Sequence, residues 1–367
     1  MSIQKNNKFL QEGHSPFLSN GVKVRDKIVG RGQPTFIVAE IGNNHNGDIN
    51  LARKSVEAAA RAGADAVKFQ KRNVGEVFTK ELLDKVQTHS KSMGTTYGDY
   101  RRKLELSEGE MRELKELSHS LGLAFFVTPF DLKSAEMLAR IGMDAWKIAS
   151  FDVNTKPLLE FVASQNQPIF LSTGMATPEE MDEAVETILK YHNELVVLHC
   201  VSIYPTPDED LNIGAIKTML ERYNPLPIGY SGHELGFIPT IAAVTLGACA
   251  IERHFTLDKT LPGPDHNTVS LDVVEFMQMV SHIRRIEQAV KDTSIRLHDK
   301  EVAIRNKHSK SVVSKVKIPI GTVVSADMLT FKSPGYGIKP TLVHTVIGKF
   351  PKADIPEDTV ITEEMLS

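Results

Sequence analysis

Residues 36–71 read FIVAEIGNNHNGDINLARKSVEAAARAGADAVKFQK, and the order of textures inside this stretch decides the fold class. Residues 36–41 form a short apolar run of the kind a strand buried on both faces shows. Residues 51–62 repeat their apolar positions with the period of a helix, and 66–69 return to a short apolar run. Strand, helix and strand in that order make a βαβ unit, which requires two parallel strands in one sheet. The pattern recurs along the chain. Further strands are expected at 124–127, 145–148, 168–171, 195–199, 227–230 and 249–253, with helical stretches at 108–121, 132–141, 178–191 and 237–246. Ser107 before Glu108, and Thr177 before Pro178-Glu179-Glu180, read as helix caps. Eight strands alternating with helices predict a (β/α)8 TIM barrel, for which about 250 residues are typical. A doubly wound open sheet is the alternative, but it calls for a phosphate-binding glycine loop at its switch point. No GxGxxG or Walker loop appears.

The chain has 367 residues, more than one hydrophobic core usually supports. After an amphipathic helix at 273–290 comes a charged linker, 291–308, and then short strand-and-turn units to the end. Two pieces of this last part echo each other, KIPIGTVVSADML against DIPEDTVITEEML. The expected organisation is therefore an N-terminal extension at 1–33, the barrel at 34–290, the linker, and a small β-rich domain at 309–367. Hydrophobic content of 41%, charged content of 24% and a net charge of -3 argue against a general nucleic-acid or membrane-surface binder. No apolar run reaches the length of a membrane span, and the N-terminus lacks the apolar core of a signal peptide. Two cysteines, Cys200 and Cys249, are too few for a disulfide framework. A cytoplasmic enzyme is the expectation.

In such a barrel the reactive residues gather at the C-terminal ends of the strands, and here every one of those ends is polar. Lys68 and Lys147 lie inside otherwise apolar strands. With Thr128, Ser150 and Ser172 they would line a cationic, hydroxyl-bearing pocket suited to a phosphate plus a carboxylate. A Schiff-base lysine is the rival reading of the same residues. His233 and His254 end consecutive strands, and two imidazoles with open positions suit Mn²⁺, Zn²⁺ or Co²⁺. His45 and His199 are weaker candidates, and His199 reads better as a packed or hydrogen-bonded barrel residue. Cys200 reads as a small apolar filler. Glu40, Asp152, Glu252 and Asp265 are the acidic candidates, each with a structural salt bridge as its alternative role. Glu252 points opposite to Arg253 along its strand and is expected to face the lumen with His254.

The motifs FIVAEIGNNHNGD, AVKFQ, VTPFD, WKIAS, LSTGM, LHC with IYPTP, IGYSGHE, IERHFTLDK and PGPDH together resemble the sialic acid (N-acylneuraminate) synthase family. The last part of the chain resembles the antifreeze-like, or SAF, domain of those synthases. The resemblance implies a metal-assisted condensation of phosphoenolpyruvate with an N-acylmannosamine-type sugar, in which water adds at C2 and phosphate leaves by C–O cleavage. It implies a divalent metal on His233 and His254, with Mn²⁺ preferred over Mg²⁺ or Co²⁺. Phosphoenolpyruvate would be held by Lys68, Thr128, Lys147, Ser150 and Ser172. Glu40, Lys68, Glu252 and Asp265 would be the catalytic set, with Glu40 the acid/base and Glu252 supporting the metal. Gln70, Tyr204 and Asp265 would bind the sugar.

The sequence also departs from the family's pattern. Gly232 stands where bacterial members often have Asp, and Ser202 where they often have Asn. Ser333 stands where many members carry an arginine that reaches the sugar of a partner subunit, and Lys332 beside it is the candidate substitute. A domain-swapped homodimer is therefore the expected assembly. SGHE, TYGDYRRKLELS and SVVSKVKIP lean towards the animal-type enzymes, which use a 6-phosphorylated sugar. Arg101 and Arg102 either read such a phosphate or belong to a solvated helix start. The rival functions are legionaminic or pseudaminic acid synthesis, more distantly a DAHP-type synthase, and outside enzymes a ligand-binding barrel with a SAF adhesion domain.

Overall fold

The computed structural model describes residues 21–87, 94–263 and 268–367. Within them the chain divides into two compact units, Met1–Lys291 and Asp292–Ser367. A short antiparallel hairpin, β1 (Val22–Val24) and β2 (Lys27–Val29), opens the first unit. Eight parallel strands follow: β3 (Phe36–Gly42), β4 (Ala66–Lys71), β5 (Ala124–Pro129), β6 (Ala145–Ile148), β7 (Ile169–Ser172), β8 (Leu195–Cys200), β9 (Ile228–Gly232) and β10 (Ala250–His254). Their order closes, with β10 hydrogen-bonded to β3, so the expected (β/α)8 barrel is the fold.

Helices cover the outside of the barrel, and their ends are fixed by local chemistry. Ser107 and Thr177 form capping boxes with Glu110 and Glu180 at the starts of helices Glu108–Ser120 and Pro178–Leu189. Asp272 does the same with Glu275 for helix Val273–Ala289. Outward-facing strand residues such as Ile37, Val67, Phe125, Trp146 and Ile169 pack against the helices in one large core. Inward-facing residues at the N-terminal end of the barrel form a second core, which includes Phe36, Val38, Phe126, Phe170, Val196 and Leu198. Phe126 packs on Phe170 at 4.9 Å between ring centroids. Val22, Val24 and Val29 of the hairpin belong to this same core. Part of what the sequence shows as an N-terminal extension is thus the plug at the bottom of the barrel, and its three-residue strands are too short to announce themselves.

The second unit opens with a helix, Asp299–His308, where the sequence suggests only a charged linker. His298 and Glu301 cap its start, and Arg305, Lys307 and His308 sit in its last turn, where cations suit the helix dipole. It buries no residue, so it carries no apolar stripe for a sequence reading to detect. β11 (Ser311–Ser314) and β12 (Leu329–Lys332) then pair antiparallel. The echoing segments fold alike. Ile318 and Ile355, at matching positions, exchange both backbone hydrogen bonds at 2.9 Å. Gly321 and Asp358 both take positive φ, and 3-10 turns Ala326–Met328 and Glu363–Met365 close the two copies. Val324 and Ile361 are fully buried in their shared core. Among the described residues no helix is long and apolar enough to cross a membrane.

Two substitutions separate packing from capping. Phe126→Ala removes a large side chain from the closed lower core and should cost about 3–5 kcal/mol. Ser107→Ala removes one exposed cap and should cost about 1 kcal/mol. Urea midpoints for the two variants give the comparison, and equal losses would mean the lower core is not packed as described.

Candidate active site

Side chains alternate across a strand, so the inward residues are set once one member of each strand is known. Above the apolar lower core, the same inward parity supplies Glu40 on β3, Lys68 and Gln70 on β4, Thr128 on β5, Lys147 on β6, Ser172 on β7, Cys200 on β8, Ser231 on β9, and Glu252 and His254 on β10. All of them line one cavity of about 220 Å³ with Ser150, Tyr204 and His233. The polar strand ends of the sequence therefore do converge on one chamber.

Its floor is a network of buried charges. Lys68 Nζ lies 2.9 Å from Glu40 Oε1 and donates to Thr128 Oγ1 at 3.0 Å. Lys147 Nζ donates to Ser172 Oγ at 2.6 Å. Glu252 Oε1 stands between the two ammonium groups, 3.9 Å from Lys68 and 3.8 Å from Lys147, and accepts from Ser231 Oγ at 3.0 Å. The pocket is thus less cationic than the strand ends suggest, because two carboxylates face two lysines. Ser150 Oγ accepts from the Gly174 backbone N–H at 2.9 Å. Gln70 donates to Glu40 Oε1 at 2.7 Å.

The two carboxylates are driven apart in acidity. Burial lifts Glu40 above the ordinary carboxylate range, although Lys68 stands beside it. Burial acts the same way on Glu252, but Lys147 and Lys68 together outweigh it and hold that group below the range. Burial also lowers Lys147. A carboxyl pushed up beside one held down is the arrangement by which one site supplies both a proton carrier and a fixed anion. Each keeps one buried oxygen with no protein partner, Glu40 Oε2 and Glu252 Oε2.

His233 and His254 stand together, with ring centroids 5.4 Å apart. His233 Nδ1 donates to the Val201 carbonyl at 2.8 Å, which orients the ring. Burial works against its charged form, but Cys200 and that carbonyl outweigh burial and raise it above the ordinary imidazole range. Nε2 therefore offers a lone pair once the ring gives up its proton. His254 has a buried Nδ1 without a partner, and burial followed by His233 pushes it well below the ordinary imidazole range, so the ring is neutral. Two imidazoles ligating one ion at 2.0–2.1 Å have centroids about 5 Å apart, so the pair fits a divalent metal. Among the described residues no group of three or more His, Cys, Asp or Glu forms a closed set, and the remaining positions would go to water or substrate.

The Arg253 side chain points the other way and explains why the histidines are held. Its guanidinium is fully buried and donates to Glu234 Oε1 at 2.6 Å, to the Glu234 carbonyl at 2.8 Å and to Thr240 Oγ1 at 2.8 Å. Tyr230 donates to the other oxygen of Glu234 at 2.8 Å. Arg253 and Glu234 are the sequence neighbours of His254 and His233, so this pair clamps both strand ends. It also accounts for Gly232, where a Cβ would fall 2.4 Å from Glu234 Oε2 and 2.6 Å from the Tyr230 ring.

The sugar candidates divide. Gln70 and Tyr204 line the cavity, with the Tyr204 ring 4.1 Å from His233. Asp265 lies outside the described residues. Lys332 belongs to the second unit, where it pairs with Asp358 at 2.5 Å. Asp152 does not line the cavity; it accepts from Thr155, and burial raises it to about 6. His199 packs on Tyr230 and lies 2.9 Å from the Leu211 carbonyl, in keeping with a structural role. Cys200 is more than an apolar filler. Its Sγ lies 3.8 Å from His233 Nδ1, and although burial pushes the thiol up, His233 foremost, with Ser150 and Lys147, outweighs this and brings it to about 7.

Asn43, Phe130 and Ser231, which lie at the polar strand ends without being named site candidates, also line the cavity, as do Arg72 and Phe151, which escape the sequence reading. The period-two step that yields Lys68 and Gln70 yields Arg72 next, and the step back from His233 yields Ser231. Arg101 also lines the cavity, while Arg102 is exposed and pairs with Asp99. Both lie in the last turn of helix Tyr97–Lys103, not at a helix start.

The NeuB family model matches residues 55–294 and the SAF domain model residues 309–367. N-acetylneuraminate-9-phosphate synthase of Homo sapiens is 37% identical, the alignment covering 92% of this chain and 94% of the human protein. N,N'-diacetyllegionaminic acid synthase of Legionella pneumophila is also 37% identical, over 90% of this chain and 92% of its own. Among solved structures, the N-acetylneuraminic acid synthetase of Leptospira borgpetersenii superposes with a TM-score of 0.69 at 34% identity, covering 78% of this chain and 96% of that one.

The clamp behind the histidines is testable by stability. Arg253→Met strands a buried Glu234 carboxylate and should cost about 3–5 kcal/mol. The double variant Arg253→Met/Glu234→Leu should recover a large part of that loss. Urea denaturation of the two variants checks this, and a double variant no more stable than Arg253→Met would contradict the clamp.

Proposed function

We propose that this chain, which belongs to the NeuB family and ends in a SAF domain, condenses phosphoenolpyruvate with an N-acylmannosamine-type sugar or its 6-phosphate. The product is a sialic-acid-type nine-carbon acid, and inorganic phosphate is released. The observation that carries this reading is the cavity floor, where Lys68 and Lys147, with the hydroxyls of Thr128 and Ser172, lie beside a paired His233 and His254 and beside Glu40, whose carboxyl burial lifts above its ordinary range. Two cations and several hydroxyls recognise a phosphate and a carboxylate on one small molecule.

The steps follow from these residues. C3 of phosphoenolpyruvate attacks the aldehyde carbon of the open-chain sugar, water adds at C2, and the C2–O bond to phosphate breaks. Lys68 and Lys147 orient the donor and stabilise the charge that passes to the departing phosphate. Glu40, whose carboxyl lies above its usual range, accepts the proton of the attacking water and returns one to the reacting oxygen. Glu252 stays ionised between the lysines and stabilises positive charge developing at C2. A divalent ion on His233 and His254, Mn²⁺ preferred over Mg²⁺ or Co²⁺, would polarise the aldehyde oxygen as a Lewis acid. A diacetamido sugar giving a legionaminic or pseudaminic product is the second reading, and the 37% identity to the Legionella pneumophila synthase supports it equally.

Incubation with phosphoenolpyruvate and a panel of mannosamine derivatives, followed by phosphate release, decides the acceptor. With ¹⁸O at the C2–O bridge, the label should leave in phosphate; label kept in the sugar acid would overturn the C–O cleavage. His233→Ala and His254→Ala should each lose stoichiometric Mn²⁺ by elemental analysis while keeping the wild-type circular dichroism. Full metal content in either variant would remove that residue from the proposed pair.

A further inference from the structure

The proposed chemistry asks Glu40 to take up and return a proton, and the two oxygens of its carboxyl are not equivalent. Oε1 is engaged twice, with Lys68 Nζ 2.9 Å away and Gln70 Nε2 donating at 2.7 Å. Among the described residues nothing donates to Oε2, which is buried. The Gln70 amide is itself held from its other end. Arg72 Nη2 donates to Gln70 Oε1 at 2.8 Å, and Asn43 Nδ2 donates to the same oxygen at 3.2 Å. Both holders are fixed in turn. The Arg72 guanidinium stacks 3.6 Å over the centroid of the Phe130 ring, and its backbone N–H donates to Glu105 at 3.0 Å. Asn43 is 3% exposed and follows an irregularity, a shift in the register of β3 on β4 between Glu40 and Gly42. Gly42 takes a φ of 56°, and a Cβ there would lie 3.1 Å from both Gln70 Nε2 and Glu40 Oε1. Bulges next to a site re-aim the side chains beside them, and here Asn43 is brought onto the Gln70 amide.

A glutamine amide carries an acceptor at one end and two donors at the other, and turning it over exchanges them. An ionised Glu40 would hold Gln70 the right way round unaided, because a carboxylate only accepts. Once Glu40 is protonated that constraint is gone. A reversed amide could then accept from a proton on Oε1 and draw it away from Oε2. A guanidinium only donates, whatever the state of Glu40, so the amide oxygen stays with Arg72 and Asn43 throughout. We propose that Arg72 and Asn43 are positioning residues that lock the Gln70 amide, so that Glu40 exchanges protons through Oε2 alone. The proton given up by the attacking water passes to Oε2 and leaves from the same atom. The lock rests on the proposed condensation and specifies the atom through which its proton moves.

The test reads the lock and the turnover separately. In protein labelled with ¹⁵N at glutamine, the Gln70 side-chain N–H that donates to Glu40 should give a downfield proton resonance, identified by its loss in Gln70→Ala. Arg72→Met and the isosteric Asn43→Asp each remove a donor from Gln70 Oε1 and should move that resonance upfield. Arg72→Lys keeps a donor and should leave it nearly in place. With phosphoenolpyruvate and the mannosamine derivative that turns over, Arg72→Met and Asn43→Asp should lower kcat roughly 10- to 100-fold with little change in either KM, as expected when a charge-assisted hydrogen bond is lost. Arg72→Lys should recover most of the rate. In the Gln70→Ala background, adding Arg72→Met should cost nothing further, because Arg72 acts through the amide. Additive losses would overturn the proposal, as would losses confined to KM or a resonance left in place by either substitution. If no mannosamine derivative turns over, the condensation is wrong and the resonance alone decides: movement in both variants keeps the lock, and persistence refutes it.

Discussion

Everything in the first unit depends on a two-residue period held through eight parallel strands around a closed barrel. Because alternate residues face opposite ways, a slip of one residue in any strand would turn its lumen residues into helix-facing ones. β4 shows what is at stake. Ala66, Lys68 and Gln70 point inward, while Val67 and Phe69 fill the helix-facing core and Lys71 pairs with Glu105. Closure removes the sheet edges at which such a slip would be cheap. Its two apolar cores, one inside and one outside the strands, then penalise any register but this one.

The inward series changes character along the barrel axis. At the bottom it is aromatic and aliphatic, sealed by the hairpin valines; one step higher it is ionic. Burying Lys68, Lys147, Glu40 and Glu252 together is a poor way to stabilise a protein, since desolvation offsets most of the attraction between them. Hydrophobic residues of the same size would serve stability better. The network is tolerable because the packed layer below and the Arg253–Glu234 clamp beside it hold the strands rigidly. What it supplies is a pair of carboxyls with opposed proton affinities and two cations that donate hydrogen bonds to Thr128 and Ser172.

Most of this was legible in the chain itself. The eight strands fall within one or two residues of where short apolar runs suggest them, and the capping boxes at Ser107 and Thr177 are local chemistry that tertiary packing leaves intact. The histidine pair was legible because consecutive strands of a barrel are neighbours. What escaped had weaker local signals. Arg72 lies one residue past the end of its strand, where the alternation is easily dropped. The alternation places Arg253 only on the side opposite Glu252, and its role shows once Glu234, nineteen residues away in sequence, is seen to be buried against it. Arg101 sits on a helix between strands, and no periodicity in the sequence says that this helix bends over the mouth. Pairwise electrostatic contacts between distant segments leave no pattern in either segment alone.

The same division separates what is fixed in such a barrel from what is free to differ. Floor residues are held by strand register, and each touches another floor residue: Lys68 with Glu40, Thr128 and Glu252, Lys147 with Ser172 and Glu252. Changing one unbalances the charge of the rest, so the chemistry they perform is hard to alter piecemeal. Rim residues come from strand extensions, loops and a short helix, as Arg72, Phe130, Tyr204 and Arg101 do, and they couple to the floor through few contacts, of which Gln70 is the clearest. A rim can therefore differ between members of the family while the floor stays the same. Relatives of similar identity that carry the names of different sugar acids are what this arrangement leads one to expect.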